Sequence, residues 1–83
     1  MAASPPVALR SLADLAPGST ARVAAVDPRS PIGRRLLDLG FVPGTAVQVV
    51  RRAPLGDPVE YELRGYRLCL RRSEAQRIQV EPA

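Results

Sequence analysis

The sequence has no histidine, no tryptophan and no lysine, a single cysteine (Cys69), and no methionine besides Met1. Histidine is the usual proton shuttle near neutral pH and the commonest transition-metal ligand. Without it there are no Ser-His or Cys-His nucleophile pairs and no His-containing zinc sites. One cysteine cannot close an internal disulfide, and alone it is a poor iron site. Asp14, Asp27, Asp38 and Asp57 are scattered, without the spacing of a calcium loop. Aromatic residues are only 4% of the chain; Phe41, Tyr61 and Tyr66 are too few for the base-stacking platform of a nucleic-acid-binding barrel. The longest uncharged stretch, Leu39 to Val50, is broken by Gly40, Pro43, Gly44 and Gln48 and is too short to span a bilayer. Pro5 and Pro6 fall where a signal peptide would need an apolar run. The expectation is a cytoplasmic, non-catalytic domain with no cofactor, no metal site, no nucleic-acid partner and no membrane insertion.

What is present fits a small binding module. The chain has 83 residues, enough for one domain. A domain of this size buries only about 60–65% of the surface its unfolded chain exposes, so nearly every long apolar side chain is needed for the core. The net charge is +4 and all twelve basic residues are arginine; that uniformity reflects a GC-rich coding sequence more than a binding function.

Residues 1–10, rich in Ala and Pro, read as a flexible tail, and residues 11–81 as the folded domain. Ser11 to Asp14 resembles a capping box opening one helical turn, which Pro17-Gly18 ends. Thr20 to Val26 reads as the first strand. Ser30-Pro31 signals a helix start, Gly40 its C-cap, and Pro43-Gly44 the centre of a type II turn. Within that helix Ile32, Leu36 and Leu39 share one face, with Arg34, Arg35 and Asp38 mostly opposite. From Thr45 the apolar period changes to two. Pro54 to Pro58 is a loop.

A two-residue turn at Arg64-Gly65 then pairs Leu63 with Tyr66, Tyr61 with Leu68 and Val59 with Leu70, and sets Glu62 opposite Arg67. Ser73 to Gln76 is a single capped turn, and Arg77 to Val80 the last strand. The result is mainly β: a small SH3-like five-stranded barrel, with one short helix after the first strand and a one-turn helix before the last.

The order of motifs carries a resemblance. Leu12-x-x-Leu15-x-x-Gly18 is followed by Arg35-x-x-x-Leu39-Gly40-Phe41-x-Pro43-Gly44, then by Ala53-Pro-Leu-Gly-Asp-Pro58. Gly65-x-x-Leu68-x-Leu70-Arg71-x-x-Glu74-Ala75 and Ile78-x-Val80 close the series. From Leu12 to Val80 the chain resembles the ferrous iron transport protein A (FeoA) family. The resemblance implies an SH3-like barrel in the cytoplasm, peripheral to the membrane through its partner. It also implies that partner: ferrous iron transport protein B, a membrane transporter with a cytosolic GTPase domain, on which the family acts as an accessory or regulator. Cys69 stands where a small residue such as alanine is expected. Two other readings are an SH3-like module of an iron-dependent transcriptional repressor and a small RNA-binding barrel.

Two adjacent leucines on a short helix cannot both point inward, so Leu37 is expected to be exposed. The expected docking surface combines it with Arg34, Phe41 and Pro43, and with Leu55 in the loop. An exposed Leu37 or an edge strand would equally suit a homo-oligomer. The doublets Arg34-Arg35, Arg51-Arg52 and Arg71-Arg72 read first as solvated surface partly paired with Glu60, Glu62 and Glu74, and second as a face that steers an acidic partner.

Overall fold

A computed structural model describes residues 9–82. Six strands form one antiparallel sheet: β1 (Arg10–Ser11), β2 (Thr20–Val26), β3 (Ala46–Arg52), β4 (Val59–Leu63), β5 (Tyr66–Leu70) and β6 (Ile78–Pro82). Their order is β1-β6-β2-β3-β4-β5. Helix α1 (Pro31–Asp38) follows β2, and the single turn α2 (Arg72–Ala75) precedes β6. The protein is mainly β and SH3-like, as expected, but it has six strands where five were anticipated. The sixth joins Arg10, read as the end of the tail, to Ser11, read as the start of the domain: Arg10 faces Val80 and Ser11 faces Gln79. Residues 1–8 of the expected tail lie outside the described residues.

Local chemistry explains most boundaries. Ser11 Oγ accepts the Ala13 N–H at 3.1 Å and caps a 3-10 turn at Leu12–Asp14. In α1, Ser30 Oγ accepts the Gly33 N–H at 3.3 Å and Pro31 occupies the first turn. At the other end, Gly40 (φ +111°) donates to the Leu37 carbonyl and Phe41 to that of Leu36. These paired bonds are a Schellman ending, which needs the left-handed glycine and brings the following apolar residue back onto the last turn. Gly44 (φ +93°) and a Thr45 N–H donated to the Val42 carbonyl at 3.1 Å complete the type II turn.

The hairpin β4–β5 has the register read from its side chains, from Val59 opposite Leu70 to Leu63 opposite Tyr66. Arg64 (φ 51°) and Gly65 (φ 85°) are both left-handed, as a two-residue type I′ turn requires. One boundary moved: α2 starts at Arg72, because the carboxylate of Glu74 accepts the Arg71 N–H at 2.9 Å and makes Arg71, not Ser73, the cap. Bulges between Val23 and Ala25 and between Val49 and Arg51 interrupt the strict alternation of β2 and β3.

The core is continuous, with Leu12, Val23, Leu36, Phe41, Val47, Val49, Tyr61, Leu63, Leu70, Ile78 and Val80 all essentially inaccessible. Helix α1 does not face it as its leucine spacing suggests. Gly33 is the contact point: a Cβ there would lie 1.9 Å from the Asp27 carbonyl oxygen. With Gly33 pressed against the end of β2, the inward stripe is Gly33–Leu36, and Ile32 turns out to 37% exposure. Leu37 and Leu39 are half-buried against the core.

Candidate docking surface

The five residues expected to form one docking surface are divided by the fold. Pro43 precedes β3 and Leu55 follows it, so a seven-residue strand separates them, roughly 20 Å at the ordinary rise of a β-strand.

At the first end, α1 meets the β4–β5 turn. A Cβ on Gly40 would lie 3.3 Å from the Tyr66 hydroxyl and 3.5 Å from Arg64 Cδ. The Tyr66 hydroxyl donates to the Leu39 carbonyl, and Arg22 Nη1 donates to the Gly44 carbonyl at 3.0 Å. Pro43 is exposed and lines a shallow cleft with Val42, Thr45 and Arg64. Arg34 is exposed on α1 and makes no ion pair among the described residues.

Two expected contacts fail at this end. Phe41 is completely buried, because the Schellman ending folds it back onto Leu36, so it is a core residue and not a surface contact. Leu37 packs against the core instead of standing exposed. Both adjacent leucines reach the interior, because Gly33 lets the helix approach closely.

At the second end stands Leu55, with 97% of its surface exposed. Its loop is held from several sides. Ala53 donates to the Pro58 carbonyl at 2.9 Å, Gly56 (φ +90°) donates to the Ala53 carbonyl at 2.7 Å, and Asp57 Oδ1 accepts the Arg72 N–H at 2.8 Å. The backbone is therefore fixed while the leucine side chain has no cover. Arg51, Arg52, Pro54, Pro58, Glu60 and Cys69 line a depression at the base of the loop.

The electrostatics favour the solvated-surface reading of the arginine doublets. Arg35 pairs with Glu74 at 2.7 Å, Arg51 with Glu60 at 2.7 Å, Arg67 with Glu62 at 2.9 Å and Arg72 with Asp14 at 3.8 Å. Arg52 Nη2 donates to the Leu15 carbonyl at 2.9 Å. The backbone N–H of Arg29, followed by its guanidinium, holds the exposed Asp27 carboxyl below its ordinary pKa. Burial pushes the Tyr61 hydroxyl up to about 12 against the opposing charges of Arg52 and Arg72.

No group of three or more Cys, Asp or Glu side chains is placed to hold a metal ion among the described residues. Phe41 and Tyr61 are buried, and the Tyr66 hydroxyl is tied to Leu39, so the three aromatics form no stacking surface. No helix among the described residues is long and apolar enough to cross a membrane.

Sequence reasoning read the Asp57 loop only as a connector and missed how it is held to α2. No local signal marks it: a turn carboxylate ordinarily accepts a backbone N–H about two residues on, whereas Asp57 reaches Arg72, across the β4–β5 hairpin.

Comparison with known proteins agrees with this geometry. The chain is 41% identical over 70 residues to an Fe(2+) transport protein A/Fe(2+) transporter FeoB fusion protein of Porphyromonas gingivalis. That match covers 84% of this chain but 8% of the relative, so the chain spans a small part of that protein's length. Among solved structures, a FeoA-like protein from Clostridium acetobutylicum superposes with a TM-score of 0.82 at 40% identity, covering 87% of this chain and 84% of the other. FeoA of Stenotrophomonas maltophilia, solved with zinc and described as a prokaryotic SH3 domain protein, superposes with a TM-score of 0.77 at 36% identity, covering 87% and 89%. The family model of the FeoA domain matches residues 10–82, from the first residue of β1 to the last of β6, and the chain belongs to the FeoA domain family.

Proposed function

We propose that this protein is a non-catalytic accessory of ferrous iron transport that docks on the cytosolic, GTPase-bearing part of a ferrous iron transporter of the FeoB type, with Leu55 as its anchor. The observation that carries the docking site is the isolated Leu55 side chain, 97% exposed on a backbone fixed by hydrogen bonds. An apolar side chain on a pre-fixed backbone spares the cost of ordering that backbone when a pocket closes over it, which favours it as an interface anchor. The choice of partner is supported by the relative that carries transport protein A and transporter FeoB in one polypeptide. Arg34 and Pro43 are each exposed but lie on the other side of β3 in the chain from Leu55, and the proposal does not use them.

A pull-down with the cytosolic domain of the FeoB-type transporter from the same organism, with and without guanine nucleotide, tests both parts. The wild-type chain is expected to be retained, and Leu55→Glu to lower affinity by about tenfold or more, as loss of an interface hot spot does, with an unchanged melting temperature. No retention of wild type under either condition would overturn the docking. Equal retention of Leu55→Glu would move the anchor elsewhere.

A further inference from the structure

The sheet has one long free edge, and its chemistry is specific. β5 is the last strand in the sheet order and pairs with β4 alone. In a two-residue hairpin the residues flanking the turn form a hydrogen-bonded pair, and such pairs then alternate along the ladder. Tyr66, Leu68 and Leu70 therefore spend their backbone groups on β4. Arg67 and Cys69 aim their N–H and C=O groups away from the sheet. Among the described residues, no turn, cap or further strand takes these four groups. Arg71, the next residue of this outward set, is different: its N–H goes to Glu74 and its carbonyl accepts from Glu74 and Ala75. The open template is thus two residues long, bounded by the turn at one end and α2 at the other.

The side chains around this template favour one kind of occupant. Across the outer face, Arg51 on β3 is paired with Glu60 on β4, and Glu62 on β4 with Arg67 on β5. The charge alternates from strand to strand and stops on a positive row, Arg67 and Arg71 flanking Cys69. Arg67 keeps 58% of its side chain exposed beyond its glutamate, and Arg71 makes no ion pair among the described residues. On the inner face Leu68 is only half-buried.

From this arrangement we infer that the β5 edge binds an extended acidic segment of another protein by adding it as a further strand. The segment's backbone takes the outward groups of Arg67 and Cys69. Its acidic side chains, spaced two apart, continue the ladder beside Arg67 and Cys69, the second on the diagonal to Arg71, and the apolar residue between them covers Leu68. A second copy of this chain would bring the same arginine row with no acid between, so like charge disfavours it. This inference stands apart from the Leu55 docking and does not require it.

A labelled synthetic peptide of alternating Glu and Val tests the edge, with a Lys-Val peptide and a Glu-Val peptide N-methylated on the edge-facing amides as controls. The expected results are anisotropy binding of the Glu-Val peptide, about tenfold or more weaker binding of the Lys-Val peptide, and none of the methylated one. Amide shift changes should centre on Arg67 and Cys69. Cys69→Pro removes an N–H that the β4 ladder does not use and should abolish binding; the methylated peptide makes the same point should that variant not fold. Absence of binding, equal binding of the two charged peptides, or indifference to methylation would each overturn the proposal. So would a concentration-dependent dimer whose shifts fall on Arg67 and Cys69, because the edge would then be serving a second copy.

Discussion

The two ends of the sheet are built to opposite rules. Around α1, atoms are pressed together: Gly33 leaves no room for a methyl group against Asp27 beyond β2, and Phe41, after the helix, is wholly enclosed. At the loop end, Leu55 stands free, and a Cβ added to Gly56 would meet nothing within 4 Å. Both ends carry a Gly- and Pro-containing motif, yet only one spends its apolar residue on packing. The lesson is that a sequence motif marks a required backbone geometry, while burial decides whether its side chains serve stability or recognition.

The largest effect that would break this contrast is at Phe41. Phe41→Ala removes a fully buried ring and should cost about 3–5 kcal/mol, read as a collapse of the denaturant midpoint; a small loss would mean the helix end is loosely packed. Gly33→Ala should follow, at about 1–3 kcal/mol or more, because the obstacle is a backbone oxygen and not a yielding side chain.

Alkaline pH probes the core beneath the loop end. Tyr61 stays neutral in the folded chain up to about 12, whereas an unfolded tyrosine ionises near 10. The stabilisation is therefore complete below about pH 10 and is lost as pH rises through 12, by about 2–3 kcal/mol in all; a urea titration series across that window measures it. Leu37→Glu should cost about 1–3 kcal/mol, by putting a carboxylate against the core; an unchanged melting curve would restore Leu37 to the surface. The smallest change is expected at Leu55→Glu, within about 0.5 kcal/mol, and a larger loss would remove the distinction between the ends.

How far the sequence could be read depended on whether a signal was local. The β4–β5 register was legible in full, because side-chain pattern and turn chemistry agree within thirteen residues of continuous chain, from Val59 to Arg71. The caps at Ser30 and Gly40 were legible for the same reason. Strand β1 was not, since Arg10 and Ser11 have no strand pattern of their own and are recruited by the distant β6. The orientation of α1 was misjudged because its leucine spacing outweighed Gly33, whose importance lies in what it touches across the fold. Of the candidate contacts, Leu55, Pro43 and Arg34 are exposed as expected. Phe41 was lost to the Schellman ending, a consequence of Gly40 that the sequence already contained.

The pairing of Arg10 with Val80 has a mechanical consequence. The chain enters the sheet at Arg10 and leaves it past Val80, at neighbouring points on adjacent strands. A segment joined at either point meets the sheet at its β1–β6 side, away from β3, β4 and β5.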